Sequence, residues 1–283
     1  MRYIDKSLDI AEGHTLSNQY LESYCKLTEV NGSYSYINVD YDGSFTSSGA
    51  KAQIQQLALK NQAYLCCYCM RDLHLQNQLV TLEHIIPQNC SEHDFKEYIE
   101  LGVKNLTTHD VIRTAEFAGV NEIRTPPYPH TIAFENLVAS CDGTFPDREG
   151  TSQCCNHKRG NRFVYPMFYK EDISDNIRYM QDGTMQPRLQ CNNEMFYMDT
   201  INNTRLNCQI LKDIRRLWHL YRETSYKELV TYLGDKDGRK KSLSSILYKN
   251  PNLMEQDARI GGKFMLNAYW RTFLLYHWFH GKL

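Results

Sequence analysis

The residues best able to do chemistry in this chain fall in three short segments. They are Cys66-Cys67-Tyr68-Cys69, then Leu82-Glu83-His84-Ile85-Ile86-Pro87, then Glu135-Asn136-Leu137-Val138-Ala139-Ser140-Cys141 followed by Cys154-Cys155-Asn156-His157-Lys158-Arg159-Gly160. A two-residue spacer lets the sulfurs of Cys66 and Cys69 reach one ion, and Cys67 then points away. Zinc takes four thiolate or imidazole ligands in a tetrahedron, and a second cysteine pair would complete such a site. Cys141 supplies one member and Cys155 or its neighbour Cys154 the other; the intervening Asp142-Gly143-Thr144-Phe145-Pro146-Asp147 is turn-rich and can loop out. A neutral histidine such as His84 can remove a proton from water near physiological pH. The adjacent Glu83 carboxylate suits a hard divalent cation, Mg²⁺ or Mn²⁺.

The chain order Cys-x-x-Cys, Glu-His, Asn, Cys, Cys-Asn-x-x-x-Gly resembles the zinc-containing branch of the HNH endonucleases. That resemblance implies an α+β, mostly helical chain. Its ββα-metal core would carry a structural Zn²⁺ and be flanked by N- and C-terminal helices. It implies His84 as the base that activates water, Asn136 as the residue that orients the histidine loop, and Asn156 as the third motif residue, a ligand of the catalytic metal beside Glu83. His157 is the competitor for that last position. The motif also wants Asn directly after the zinc ligand, which favours Cys155 over Cys154. Lys158 would contact phosphate. Further segments, namely Met1-Arg2-Tyr3-Ile4, Asn136 to Cys141, and Asp199-Thr200-Ile201 through Arg215-Arg216, resemble the HNH nuclease subunit of Septu-type and retron-associated anti-phage systems, often called PtuB. The resemblance implies nucleic acid as substrate, DNA first and RNA not excluded, and an ATPase partner of the SMC/ABC type, PtuA-like. This chain has no Gly-x-x-x-x-Gly-Lys-Ser/Thr segment of its own. Two readings compete: a zinc-stabilised binding module without catalysis, and a stand-alone restriction or homing nuclease.

A formal net charge of −1 means that any phosphate-facing surface must be local. Lys158, Arg159 and Arg162 are the candidates beside the last cysteine pair; Arg215, Arg216 and the run Arg239-Lys240-Lys241 are others. The N-terminus has no apolar stretch of the signal-peptide kind, and no run of about 18 apolar residues predicts a membrane span. Ten cysteines without secretion then read as metal ligands or free thiols, and the expected compartment is the cytoplasm.

These groups need elements to hold them. The pattern predicts a helix over residues 17–28, a short strand over 34–39, a turn at Asp42-Gly43 and a helix over 50–64 that delivers the chain to Cys66. Residues 78–84 read as a strand ending at His84 and stopped by Pro87, and 91–102 as a helix capped by Ser91 and closed by Gly102. The insertion through Pro129 reads as loop with short helical pieces, structural or partner-binding rather than catalytic. A hairpin around Asp182-Gly183, a helix over 199–231 and two further helices near 241–248 and 255–279 complete the chain. The last is dense in aromatics and reads first as a core helix, with docking through residues such as Trp278 as the alternative. The organisation expected is an N-terminal region over 1–63, a core over 64–165 and a C-terminal region over 166–283.

Overall fold

A computed structural model describes residues 1–30, 33–71, 73, 80–103, 106–107, 112–114, 128–147, 150–189, 191, 193–212 and 215. The helices expected near 241–248 and 255–279, together with Arg216, the Arg239 to Lys241 run and Trp278, lie outside the described residues.

The described residues form a mixed α+β fold. In chain order the elements are α1 (Ile10–Tyr24), β1 (Lys26–Val30), β2 (Ser33–Ile37), α2 (Ala50–Asn61), β3 (Val80–His84), α3 (Glu92–Glu100), β4 (Leu106–Thr107), β5 (Ile112–Thr114), β6 (Tyr128–Pro129), β7 (Leu137–Cys141), β8 (Thr144–Asp147), β9 (Gly150–Gln153), α4 (Cys155–Arg159), α5 (Ile173–Asn176), β10 (Ile177–Tyr179), β11 (Met185–Pro187) and α6 (Glu194–Asn203). No helix among the described residues is long and apolar enough to cross a membrane.

Three expectations need correction. The first helix runs from Ile10 to Tyr24 rather than 17–28, because Lys26–Val30 pairs antiparallel with β2. The helix expected over 199–231 begins earlier, at Glu194, and breaks after Asn203. Arg205 there has φ +49°, and the backbone turns before helical residues resume at Gln209. Apolar periodicity ran across that turn and hid it. The insertion also differs, because its described residues form short strand pairs: β5 joins β2, and β6 runs parallel to β4.

The pair that positions the chemistry is β3 against β7. Their antiparallel register sets His84 opposite Leu137 and Val80 opposite Cys141. Behind β7 packs α2, whose Ile54, Leu57 and Ala58 are buried with Leu137, Val138 and Ala139. Burying each such Leu or Ile contributes roughly 1.5–3 kcal/mol. The segment after α2 is stitched to β7 by Gln62, whose amide donates to Ala139 O at 2.8 Å while its carbonyl accepts from Ala139 N at 2.7 Å. Lys6 donates to Leu137 O at 2.6 Å with its ammonium 3.7 Å from the Phe134 ring centre. Residues from 1–63 therefore share the core of β3 and β7. At Gly13 the packing is close enough to need glycine: an added Cβ would lie 2.5 Å from the Phe134 side chain. That contact seats α1 on the Phe134–Asn136 turn, which leads into β7.

Candidate metal centre and adjoining cleft

The Cys-x-x-Cys turn closes on itself, with Met70 N donating to Cys66 O at 3.0 Å and Cys66 N donating to Arg71 O at 2.9 Å. The turn sets the sulfurs of Cys66 and Cys69 toward the end of β7, where Cys141 lies, and Cys155 comes from the start of α4. The ligand atoms of these four buried cysteines all fall within 4.8 Å of one another. Cys69 Sγ and Cys141 Sγ are 3.7 Å apart. Zinc–sulfur bonds of about 2.3 Å place tetrahedral sulfurs about 3.8 Å apart, so the spacing suits a metal such as zinc. All four thiols are free rather than disulfide-bonded. Burial pushes the Cys69 and Cys155 thiols up. Burial also acts on Cys66, but contacts from the Cys141, Cys155, Cys67 and Cys69 thiols outweigh it and hold Cys66 well below the usual thiol range. The backbone N–H of Cys141 donates to Cys66 Sγ at 3.3 Å, a further stabiliser of thiolate.

The backbone decides between the two adjacent cysteines. Cys155 has φ +51°, in the left-handed region that costs a non-glycine residue of order 1 kcal/mol. Cys154 just before it is extended. That reversal puts Cys155 in the cluster and leaves Cys154, 3.3 Å away at sulfur, outside it beside Cys208. Gly143 makes the reversal possible. It has φ +76°, accepts from Cys154 N at 2.8 Å, and an added Cβ would lie 2.0 Å from Cys154 O.

His84 ends β3 and is buried. Its Nε2 lies 2.8 Å from Thr131 O. A carbonyl only accepts, so Nε2 carries the proton in the neutral ring and Nδ1 holds the lone pair. Burial first, then the charges of His130, Arg159 and Lys51, push the His84 pKa down to about 4, against the opposing pull of the Thr131 carbonyl. The ring is neutral at physiological pH. Thr131 lies just past Pro129, where the insertion expected to be structural or partner-binding rather than catalytic returns to the core.

Asn136 is fully buried and clamps the chain after His84. Its amide donates to Ile86 O at 3.0 Å and to His130 O at 2.7 Å, and its carbonyl accepts from Ile86 N at 2.7 Å. These bonds hold the backbone that leaves His84, and Asn136 does not line the cleft beside that residue. Asn156, half-buried on α4, donates to Thr81 Oγ1 at 3.0 Å, which leaves its amide oxygen for another partner. His157, its competitor, is exposed and does not line the cleft.

Arg159 requires the largest correction. Expected to face phosphate, it is 1 % exposed. Its guanidinium bonds Glu83 Oε1 and the backbone carbonyls of His84 and Ile85, while Nε donates to Arg162 O at 3.3 Å. The buried Glu83 carboxylate and the His84 and Ile85 carbonyls draw the side chain in. Burial pushes the Glu83 carboxyl up and Arg159 pulls it back, with the guanidinium engaging Oε1. Lys158 is half-buried and Arg162 exposed, and neither side chain lines the cleft beside His84.

That cleft has a volume of about 620 Å³. Glu83, His84, Asn156 and Arg159 line it, and so do Tyr41, Lys51 and Gln55 from the N-terminal region. The last three carried no sequence signal beyond the helical spacing of Lys51 and Gln55. Groups of three or more His, Cys, Asp or Glu side chains close enough for one metal among the described residues are the four cysteines and, on α3, His93, Asp94 and half-buried Glu97. Glu83 and Asn156 stand apart from both.

No protein-family model matches the chain, and no curated protein matches it either.

Proposed function

We infer that the chain is a metal-dependent endonuclease of the HNH type that hydrolyses phosphodiester bonds, with DNA as the expected substrate. The observation that carries this reading is the placing of His84 in the cleft. A buried neutral imidazole, its Nε2–H tied to a backbone carbonyl and its Nδ1 left as lone pair, ends one strand of the antiparallel β3–β7 pair, and the short helix α4 follows after β8 and β9. Two strands and a helix held by a four-cysteine centre are what the ββα-metal resemblance leads one to expect.

The roles follow from position. His84 Nδ1 accepts the proton of an attacking water. Asn136 fixes Ile86 and thereby the backbone that leaves His84, holding the ring at the geometry the transfer needs. Glu83 and Asn156 offer one carboxylate and one amide oxygen on the wall of the same cleft, a donor set that fits Mg²⁺ or Mn²⁺, which take few protein oxygens and complete their shells with water and phosphate. Such an ion, when bound, supplies charge to stabilise the phosphate and the departing oxygen. Arg159 opposes the upward push of burial on the Glu83 carboxyl and ties it to the backbone of His84. The four cysteines hold α4 to the end of β7, so that Asn156 stays beside Thr81. Through the Septu-type resemblance the partner is an SMC/ABC-type ATPase and the setting anti-phage defence in the cytoplasm. The 64–165 core boundaries remain part of the same proposal.

The test is cleavage of supercoiled plasmid in Mg²⁺ or Mn²⁺ by wild type and His84→Ala, each alone and with a co-purifying ATPase. Nicking by wild type only supports the reading, and dependence on the ATPase supports the defence complex. Absence of cleavage in every mixture by a folded, metal-loaded chain, on DNA and on RNA, removes it in favour of the binding module.

A further inference from the structure

We propose that Lys51 is a phosphate-holding residue of the cleft, supplied by the N-terminal helix α2 and facing the same space as His84. The proposal rests on the endonuclease reading and adds to it a substrate contact from outside the strand–strand–helix unit. Lys51 and Gln55 lie one turn apart, so they share a face of α2. Gln55 Nε2 donates to Val80 O at 3.2 Å and fixes that face against β3. The Lys51 ammonium sits 4.6 Å from the Tyr41 ring centre, and the Tyr41 ring meets the His84 ring edge-on at 4.4 Å. One buried tyrosine therefore spaces the cation from the imidazole.

The charges around the cleft single this lysine out. Glu83 and Arg159 are paired with each other. Lys51 has no ion pair or hydrogen bond among the described residues. Asp42, exposed at the rim, also lines the cleft without a salt bridge among them. The half-buried cation deeper in the cleft is thus left without a counter-ion, and an aromatic wall excludes water from one side of it. Such a group attracts an anion, and an ammonium serves phosphate as a point charge. Its field already reaches His84, where it helps to keep the ring neutral. A phosphate in the cleft, beside the Tyr41 ring rather than behind it, would have its negative oxygens toward Lys51 and its reacting face toward His84.

The experiment uses the full metal-loaded chain carrying His84→Ala, so that nothing is cut, and a short fluorescein-labelled DNA duplex titrated across a range of salt. Lys51→Met is expected to weaken binding about tenfold and to lower the slope of log affinity against log salt by about 0.9, the value of one phosphate contact. Lys51→Arg should recover most of both. Asp42→Asn should shift affinity the opposite way. If Lys51→Met does not fold, Lys51→Gln carries the test, since it removes the charge and keeps a polar side chain; unchanged affinity and slope there overturn the proposal equally. Unchanged affinity and slope in Lys51→Met, beside intact plasmid cleavage by the wild type, overturns the lysine proposal and leaves the nuclease reading standing. Absence of both binding and cleavage in the parent protein removes the two together.

Discussion

Replacing Arg159 with methionine separates a buried structural arginine from one that grips phosphate. The substitution keeps most of the side-chain volume and removes the charge. Glu83 is then left buried without its partner. Breaking such a pair costs about 3–5 kcal/mol. The carboxyl can escape by taking a proton, which from its ordinary value of 4.5 caps that cost at about 3 kcal/mol at pH 7. The carbonyls of His84, Ile85 and Arg162 also lose their donor. At about 1 kcal/mol each, with water replacing the guanidinium, they add about 3 kcal/mol. The total of about 6 kcal/mol is comparable to the whole stability of many domains. Urea unfolding reads it directly. The double variant Arg159→Met with Glu83→Gln should recover about 3 kcal/mol, and the single variant's deficit should shrink as pH falls toward 4.5. A loss below about 1 kcal/mol with no coupling between the two sites, joined by a weaker salt dependence of DNA binding, would refute the burial argument and return Arg159 to the surface.

Three other outcomes follow from the same geometry. Cys155→Ser should lose bound zinc, measured by elemental analysis, whereas Cys154→Ser should keep it; equal loss in both would mean that the two cysteines exchange. Gly143→Ala should behave like Cys155→Ser, since its Cβ would collide with Cys154 O; full zinc content and an unchanged melting temperature would contradict this. His84 has a folded pKa of about 4 against 6.5 for the free side chain. The unfolded chain therefore binds its proton first as pH falls. The His84 contribution to stability is full above 6.5 and is lost down through 4, about 3 kcal/mol in all. The pH dependence of stability should flatten over that window in His84→Ala, and an NMR titration placing the ring near 6.5 would falsify the burial account.

The sequence by itself named the groups that the fold gathers. Cys66 and Cys69 were legible because a two-residue spacer fixes where two sulfurs can go; Cys141, and Cys155 over Cys154, were expected from the motif resemblance, and the backbone reversal at Cys155 is tertiary. The strand ending at His84, the cap at Ser91 and the turn at Asp182-Gly183 were legible because alternation, capping and turn chemistry act over a few residues. Arg159 was misread because its charge spoke for solvent, whereas a carboxylate 76 positions away drew it inside. The tautomer of His84 depends on Thr131, Asn136 reaches back to Ile86, and Tyr41 and Lys51 enter the cleft from a region read only as packing. None of these partners is near in sequence. Hydrogen-bond satisfaction of buried polar groups is decided only when the chain has closed on itself, and that closure, not local pattern, set the charge and protonation state of the candidate site.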